Sequence, residues 1–288
     1  MRTYLDCYPC VMRQALSAAR LADADEPAQQ AVLNETMDLL RTVPPGASPP
    51  ELAHAVHRIV RERSGHDDPY LRVKADSTRA ALAMVEQLTA LVAASADPFE
   101  TAVRLSIAGN IIDVGVSDDV PDLWATVDRV LAAPLAIDHL DRLRAALDEV
   151  DHVLYLADNA GETVFDRVLI EHLAPRVTYV VKAGPVLNDA TRADALAAGL
   201  DACATIVDNG SDAPGTILDL CSAGFREVYA GAPLVIAKGQ ANYETLSEAG
   251  QAVYCLLQVK CPVIGRDAGV PVGSIVVRQS QAPAVAVA

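Results

Sequence analysis

The pattern of apolar and polar positions changes near residue 150. Before that point, apolar residues recur at spacings of three and four, as at Val11, Ala15 and Ala19, and this spacing is typical of amphipathic helices. Helices are predicted over residues 11–19, 25–40, 51–63, 71–94 and 97–107, with breaks at segments that contain proline and glycine. Residues 1–150 are therefore predicted to be helical.

After residue 150, short apolar runs replace the helical spacing. Strands are predicted at residues 153–156, 177–181, 204–207, 234–236, 253–257 and 274–277. Most of these runs are separated by segments of helix length, and this alternation is typical of a parallel sheet with crossover helices. We expect an α/β fold with a mostly parallel sheet over residues 151–278. The helical part over residues 1–150 is expected to pack on it, and residues 279–288 to form a flexible tail.

Composition and charge narrow the classes of partner. The 288 residues include 51% hydrophobic and 21% charged side chains, which is enough for a substantial core. The net charge of −15 argues against binding to nucleic acid or to an anionic membrane surface. The sequence contains no run of 18 or more apolar residues, so no membrane span is predicted. Six scattered cysteines and a polar N-terminal segment favour a reduced, cytoplasmic protein.

Polar side chains follow each of the first five predicted strands. In chain order these are Asp158 and Asn159, then Lys182 with Asn188 and Asp189, then Asp208 to Asp212, then Lys238 to Glu244, and finally Lys260. Because the carboxyl ends of parallel strands meet at one edge of a sheet, we expect these side chains to converge. The sequence therefore predicts a single polar site at this edge.

The segment from Asp158 to Glu162 admits two interpretations. It lies between a predicted strand and a helical pattern that begins at Thr163. The Asp158 carboxyl and the Asn159 amide offer hard oxygen donors, which suit Mg²⁺, Mn²⁺ or a related cation. Asp and Asn are also common N-cap residues, so a purely structural role is the alternative.

Several of these segments occur in an order that resembles a known family. They are Gly109-Asn110-Ile-Ile-Asp113, Asp158-Asn159-Ala-Gly-Glu162, Asn188-Asp189-Ala-Thr, Ser211-Asp212-Ala-Pro-Gly and Lys238-Gly-Gln-Ala-Asn242-Tyr-Glu244, preceded by Cys7-x-x-Cys10. Together they resemble the metal-dependent damage-control phosphatases, and the cysteine pair resembles the prokaryotic branch of that family. The resemblance implies a Rossmann-like α/β/α sandwich with a mostly parallel sheet, plus an N-terminal all-helical part. It also implies a divalent metal and hydrolysis of phosphate from small, often damaged, phosphometabolites.

The resemblance assigns roles to individual residues. The implied metal ligands are Asp158, Asn159 and Asp189, with Mn²⁺, Ni²⁺, Co²⁺ or Mg²⁺ as the cation. The expected catalytic residues are Asp158, Asp189, Asp212 and Glu244. The last two are candidates, on their chemistry and not on the resemblance, for a general base that the sequence does not identify. The expected substrate-binding residues are Asn110, Asp113, Glu162, Ser211, Lys238 and Asn242. Lys238 is expected to supply a positive charge to the phosphate oxygens.

The N-terminal pair Cys7 and Cys10 has three interpretations. It is half of a zinc ligand set, a redox pair, or a feature of a first helical turn that contains Pro9. No second Cys-x-x-Cys follows, but Cys261 could join the pair in space.

The sequence therefore predicts a metal-dependent phosphatase that acts on a small phosphorylated metabolite, such as a sugar phosphate. One alternative is a Rossmann-like transferase of the methyltransferase type, although no glycine-rich loop follows the first strand. A second alternative is a non-catalytic module that binds a metal or a metabolite. Glycine-rich fingerprints for nicotinamide or P-loop nucleotides are absent from the sequence.

Overall fold

The computed structural model describes residues 1–111, 123–249 and 253–280. Within these ranges seven α-helices precede the first strand: α1 (Cys7–Leu21), α2 (Glu26–Arg41), α3 (Pro49–Ser64), α4 (Leu71–Leu82), α5 (Val85–Ala94), α6 (Pro98–Ile111) and α7 (Leu123–Ala132). The later helices are α8 (Leu140–Asp148), α9 (Glu162–Ile170), α10 (Arg192–Ala197), α11 (Ala223–Gly231), α12 (Gly239–Leu246) and α13 (Pro262–Ala268). None of the helices in these ranges is both long enough and apolar enough to cross a membrane.

The strands form one seven-stranded sheet within the described ranges. They are β1 (Leu135–Asp138), β2 (His152–Leu156), β3 (Arg176–Val181), β4 (Thr205–Asp208), β5 (Val235–Lys238), β6 (Val253–Gln258) and β7 (Ile275–Gln279). Their order across the sheet is β1-β7-β6-β5-β2-β3-β4. Every neighbouring pair is parallel except β6 and β7, which are antiparallel. The predicted α/β fold with a mostly parallel sheet is confirmed.

The strand order reverses between β2 and β5. From β2 the chain continues through β3 to β4 on one side, whereas β5 and then β6 lie on the other side. Crossover connections leave in opposite directions at such a point and open a crevice at the carboxyl ends of the strands. The crevice in this protein therefore lies between the segment after Leu156 and the segment after Lys238.

Alternate residues of each strand enter two separate cores. On one face, Tyr155 and Tyr179 pack with apolar side chains of α4 to α9, and on the other face Leu154 and Val180 pack with α11, α12 and α13. A third core joins α1, α2 and α3 and includes the buried Val56. The first three helices therefore form a unit of their own, and α3 lies against α12 near the crevice.

The secondary structure departs from the predicted pattern in three places. The segment predicted as one helix over residues 71–94 divides into α4 and α5 at Ala83 and Met84. Strand β1 lies in the part predicted to be helical. It was not predicted, because four residues are too few to show an apolar alternation. Strand β7 continues to Gln279, where the tail was expected to begin. The division at residue 150 stays a prediction, and residues 281–288 lie outside the described part of the chain.

Helices α6 and α9 approach each other closely at Gly109. A Cβ atom there would meet the Phe165 Cβ at 2.8 Å, which is shorter than normal packing allows. This approach carries Asn110 on the last turn of α6 toward the carboxyl ends of the strands. The small residue therefore sets how near α6 comes to the crevice.

We expect Gly109→Ala to lower the free energy of unfolding by about 1–3 kcal/mol, because the added methyl must push α6 away from Phe165. Gly224→Ala is the matched control, since a Cβ on Gly224 in α11 has open space and should stabilise by about 0.5 kcal/mol. Urea unfolding of both variants measures the difference. A loss of the same size in both would contradict the close approach.

Candidate functional site

Two motifs that are separated by about thirty residues in the chain are joined through their backbones at the end of β2. The Ala190 amide donates to the Asp158 carbonyl at 2.7 Å, and the Ala160 amide donates to the Asn188 carbonyl at 2.8 Å. These bonds form a short antiparallel bridge between Asn159 and Asp189. The side chains of Asp158, Asn159 and Asp189 are thereby brought to one place, as predicted.

Asp158 and Asn159 do not act as helix caps. Helix α9 begins at Glu162, and its N-cap residue is Gly161, which makes no side-chain cap. The Asp158 Oδ2 atom instead accepts hydrogen bonds from Asn110 Nδ2 at 2.6 Å and from Asn159 Nδ2 at 3.2 Å. The structure therefore favours the ligand interpretation of this segment over the N-cap interpretation.

Gly239 makes room for the Asp158 carboxyl group. It follows β5 directly and has φ +76°, a conformation that L side chains rarely adopt. A Cβ at this position would overlap the Asp158 carboxyl, and it would lie 2.9 Å from Asn110 Nδ2. The Lys-Gly sequence thus lets the backbone after β5 pass directly beside the carboxyl group that follows β2.

Lys238 lies beneath the site and does not face the open crevice. Its side chain is fully buried, and Nζ donates to Glu162 Oε1 at 2.6 Å, Asp166 Oδ1 at 2.6 Å and the Ser106 carbonyl at 3.0 Å. An ammonium group has three hydrogens, so these three acceptors use all of them. This arrangement does not fit the expectation that Lys238 contacts a phosphate.

A continuous hydrogen-bonded network runs from Lys238 to Asp158. Asn110 Nδ2 bridges Asp158 Oδ2 and Glu162 Oε2, at 2.6 and 2.7 Å. The Asn159 amide nitrogen also donates to Glu162 Oε2, at 3.2 Å, so the amide oxygen is the atom that Asn159 can offer to a cation. Asn110 and Glu162 therefore support Asp158 and Asn159 from the buried side, and neither lines the cavity beside the site.

Asp166 anchors the far end of this network. Its two carboxyl oxygens accept hydrogen bonds from Tyr155 at 2.7 Å and from Tyr179 at 2.8 Å, in addition to the Lys238 ammonium. Burial raises the pKa of Asp166 to about 6, although Lys238 opposes the shift. Asp166 was not among the predicted site residues, because its only signal in the sequence is its position one turn after Glu162 on α9.

The buried charges around the site do not balance. Four carboxyl groups (Asp158, Glu162, Asp166 and Asp189) lie near two ammonium groups (Lys182 and Lys238), and all six side chains are buried. When all six are ionised, two negative charges remain. Another buried lysine, Lys74, is already paired with Asp68 at 2.7 Å. A divalent cation would neutralise the excess.

The pKa shifts and one carboxyl oxygen without a hydrogen bond agree with that imbalance. Burial raises the pKa of Asp158 well above its usual value, and the neighbouring Glu162 and Asp189 raise it further. Burial also raises the pKa of Asp189 to about 6, although Lys182 opposes the shift. Asp189 Oδ2 is buried with no hydrogen-bond partner, and the Lys182 ammonium is 3.5 Å away. A buried carboxyl oxygen whose one partner is this long ion pair still has room in its coordination for a metal ion.

The donor set that fits a cation is two carboxyl groups and one amide. In the described part of the chain no group of three or more His, Cys, Asp or Glu side chains is arranged to hold a metal ion. Asp158, Asn159 and Asp189 could hold a hard divalent cation through oxygen atoms, with further positions for water and substrate. The residues present therefore fit the metal that the resemblance implies.

A cavity of about 360 Å³ opens beside these oxygen donors. Four of the predicted site residues line it, namely Asp158, Asn159, Asp189 and Glu244. Lys260 and Arg13 line it too, and neither forms an ion pair with any residue that the structure describes. The positive charge of Lys260 also lowers the pKa of Asp158. Lys260 follows β6, so its position at the end of a strand was the signal in the sequence for a positive charge at this cavity.

Asp212 lies outside the cavity and is not placed to act as a general base. Its carboxyl accepts hydrogen bonds from His54 Nε2 at 2.9 Å and from Arg61 Nη2 at 2.5 Å, and Arg61 also donates to the Pro185 carbonyl. Burial tends to raise the pKa of Asp212, but the bonds from His54 and Arg61 outweigh it and the pKa is lowered. This cluster ties α3 to the loops after β3 and β4.

Two further predicted substrate-binding residues are occupied elsewhere. Asn242 is buried, donates to the carbonyls of Ala157 and Lys238, and accepts from the Thr216 hydroxyl. The Ser211 hydroxyl accepts from the Ala213 amide within its own loop. Both side chains hold backbone segments in place. The remaining predicted residue, Asp113, lies outside the described residues.

Cys7, Cys10 and Cys261 all line the cavity, as the sequence analysis considered. All three are free thiols, and burial raises the pKa of Cys7. Cys261 also lies 3.7 Å from Gln240 Nε2. The structure brings the pair together with Cys261, and the role of the three thiols stays open.

Comparison with known proteins identifies the family. Residues 3–276 match the model of the damage-control phosphatase ARMT1-like domain. The chain belongs to this family. A damage-control phosphatase of Archaeoglobus fulgidus is 34% identical over 284 residues, covering 94% of this chain and 97% of that protein. The damage-control phosphatase PH1575 of Pyrococcus horikoshii is 31% identical over 282 residues, covering 96% and 97%.

The solved structure of a relative shares the whole fold. The crystal structure of the DUF89 family protein PH1575 from Pyrococcus horikoshii superposes with a TM-score of 0.87 at 30% identity, covering 98% of this chain and all of that one. An uncharacterised protein of Methanocaldococcus jannaschii is 34% identical over 281 residues, covering 93% of this chain and 92% of that one. Membership of the damage-control phosphatase family supports phosphatase activity on damaged metabolites.

Removing the charge of Lys238 should destabilise the folded protein. We expect Lys238→Met to lower the free energy of unfolding by about 3–5 kcal/mol, because it leaves Glu162 and Asp166 buried without their counter-ion. Lys260→Met is the matched control and should change stability by less than about 0.5 kcal/mol, because Lys260 is exposed. Urea unfolding distinguishes the two, and equal stability would refute the network.

Glu244 should make stability depend on pH. Burial raises its pKa from 4.5 to about 7, so the folded state binds its proton more tightly than the unfolded state does. The resulting stability, about 3 kcal/mol at most, is present below pH 4.5 and lost as the pH rises to about 7.

We therefore expect metal-free Glu244→Gln to gain stability over the original protein at pH 8 and to show a smaller gain at pH 5. Urea unfolding at the two values measures the change. A gain of the same size at both would show that Glu244 is not the titrating group.

Proposed function

We propose that this protein is a metal-dependent phosphatase that hydrolyses small phosphate monoesters. The observation that supports it most is the excess of two negative charges among the six buried ionisable side chains around Asp158 and Asp189, beside a cavity that Lys260 also lines. The charge excess favours a divalent cation, and the lysine favours an anionic ligand. The family assignment favours phosphate as that anion.

Asp158, Asn159 and Asp189 would hold the cation, with Mn²⁺, Ni²⁺, Co²⁺ or Mg²⁺ as candidates. A bound divalent cation would supply Lewis-acid stabilisation to the phosphoryl oxygens. Asn110 and Glu162 keep the ligands in position, because they hydrogen-bond to Asp158 and Asn159 from the buried side.

Lys260 would bind the phosphate in the role first assigned to Lys238. It follows β6, lines the cavity and lies close enough to Asp158 to affect its pKa. The Lys260 backbone amide donates to Gln240 Oε1 at 3.1 Å, and this bond fixes the start of the segment that carries the side chain. In a protein with a net charge of −15, an unpaired lysine beside a cavity gives an anionic substrate a local attraction.

Glu244 is the residue best placed to move a proton. Its side chain lines the cavity, accepts from Gln240 Nε2 at 3.2 Å and has a pKa raised to about 7 by burial. A carboxylic acid with that pKa is partly protonated at neutral pH and can donate its proton to the leaving alkoxide oxygen as the P–O bond breaks. Water supplies the attacking oxygen and loses one proton, which restores the acid form of Glu244 after the alcohol has formed.

The substrate is a small molecule on this proposal. Sugar phosphates, expected from the resemblance, are one class of phosphate monoester that such a site could hydrolyse. The transferase alternative has less support, since the observations around Asp189 favour a cation. A binding module without catalysis would retain the cation site and release no phosphate.

We expect Asp189→Asn to reduce phosphate release roughly 100-fold or more and to weaken metal binding, because it removes a charged oxygen ligand. The metal-free variant should be at least as stable as the original protein, since it loses a buried charge whose pKa is raised. Asp208→Asn is the matched control, an exposed aspartate at the end of β4 that does not line the cavity.

The assay is phosphate release by the metal-stripped protein after addition of each of the four cations. Calorimetric titration with Mn²⁺ measures binding independently of activity. Full activity and unchanged Mn²⁺ affinity in Asp189→Asn would refute the ligand assignment. Mn²⁺ binding without phosphate release from any ester would favour the non-catalytic alternative.

A further inference from the structure

The cavity presents an apolar surface beyond its oxygen donors. The side chains that form this surface come from α1, α3, α13 and two loops, and they are Val11, Pro50, Ala53, Leu187, Pro214 and Val263. We call these six residues the apolar wall. Apart from Asp158, Asn159, Asp189, Glu244, Lys260 and the three cysteines described above, the polar side chains that line the cavity are Asp6, Arg13, Gln14, Asn188 and Gln240. The part of a ligand that lies against this wall would find few hydrogen-bond partners.

Leu187 in the apolar wall has an unfavourable backbone conformation. Its φ is +48°, in the left-handed region, where the Cβ atom of an L-residue crowds the backbone. The position lies between Val186 and Asn188 in a tight turn, in which the Asp189 amide donates to the Val186 carbonyl at 3.1 Å. Glycine or asparagine would adopt this conformation more easily.

A leucine at this position therefore needs a compensating role. Its side chain packs against the core of α1, α2 and α3, and it also lines the cavity two residues before the metal ligand Asp189. Backbone strain is found preferentially at sites that bind ligands, where surrounding structure holds it. The strained turn thus brings one apolar side chain and one carboxyl ligand to the same cavity.

We propose that the apolar wall, with Leu187 as its principal specificity residue, selects phosphate monoesters whose carbon portion is apolar over polyhydroxylated ones. The proposal rests on the phosphatase function proposed above. Alkyl groups would bury against Val11, Pro50 and Leu187 with a favourable loss of hydration. Sugar hydroxyls in the same place would give up hydrogen bonds to water without replacing them.

The volume of the cavity agrees with a short organic chain. At about 360 Å³ it lies near the lower end of the range for small-molecule sites, roughly 300–1,000 Å³. Part of that volume belongs to the phosphate and the cation. The remaining space suits a compact alkyl group.

The experiment compares n-pentyl phosphate with glycerol 3-phosphate and ribose 5-phosphate, all esters of primary alcohols. We expect kcat/KM to be at least about tenfold higher for the pentyl ester. Leu187→Ala should lower kcat/KM for n-pentyl phosphate about tenfold and that for glycerol 3-phosphate less than about twofold. Equal or higher kcat/KM for the two polyol esters would overturn the proposal while leaving the phosphatase function intact.

Two further variants separate binding from folding. Leu196→Ala, at an exposed leucine of α10 away from the cavity, is the matched control and should leave both rates unchanged. Leu187→Gly removes the side chain and also relieves the backbone, so its Tm should be no lower than that of Leu187→Ala. Loss of the pentyl preference in Leu187→Gly with an unchanged Tm supports a role in selection. An unchanged preference in either Leu187 variant contradicts it.

Binding measurements distinguish failure of this proposal from failure of the phosphatase function. Calorimetric titration of the Mn²⁺-loaded protein with n-pentylphosphonate and with methylphosphonate requires no hydrolysis. We expect the pentyl compound to bind about tenfold more tightly, with the difference reduced in Leu187→Ala. Equal affinities would refute the apolar wall even in an active enzyme. Absence of phosphate release with selective phosphonate binding would refute only the catalytic function.

Discussion

The contacts of the buried Lys238 ammonium hold together three elements of the fold at the crevice. Lys238 ends β5, its partners Glu162 and Asp166 lie on α9, and its third acceptor, Ser106, lies on α6. A buried ammonium group is tolerated only when its charge and all its hydrogens are satisfied. Lys238 meets this condition at the point where the strand order reverses, so the geometry of the crevice depends on these contacts.

The same network extends to the atoms that face the cavity. Glu162 holds Asn110 and Asn159, and Asn110 in turn holds Asp158. The backbone bridge between the segments after β2 and β3 adds Asp189. The buried carboxyl groups outnumber the buried lysines around them, and a cation at the proposed site would neutralise this excess of negative charge. One hydrogen-bonded network, centred on Lys238 and Glu162, therefore both balances buried charge and fixes the positions of Asp158 and Asn159.

The three N-terminal helices contribute apolar side chains to the cavity, whereas the strand ends contribute charged ones. The α1 to α3 unit has its own core, and it is tied to the strand-end loops by the contacts of Asp212 with His54 and Arg61. Its side chains supply most of the apolar surface near Leu187. A phosphate monoester would thus meet charged groups from the sheet domain and apolar groups from the helices. Residues from both halves of the chain therefore line one cavity.

The sequence alone determined the six principal strands, the parallel sheet and the convergence of Asp158, Asn159 and Asp189, because periodicity and strand-end chemistry are local properties. It could not separate a lysine that faces a ligand from one that neutralises buried carboxyl groups. Lys238 and Lys260 both follow strands, yet only the packing of α6 and α9 over β5 buries the first and leaves the second beside the cavity. Asp212 and Asn242 were also assigned to the site because they follow strands, and the structure pairs both of them with other residues instead. The tertiary structure decided their roles, because burial and hydrogen-bond partners come from segments distant in the chain.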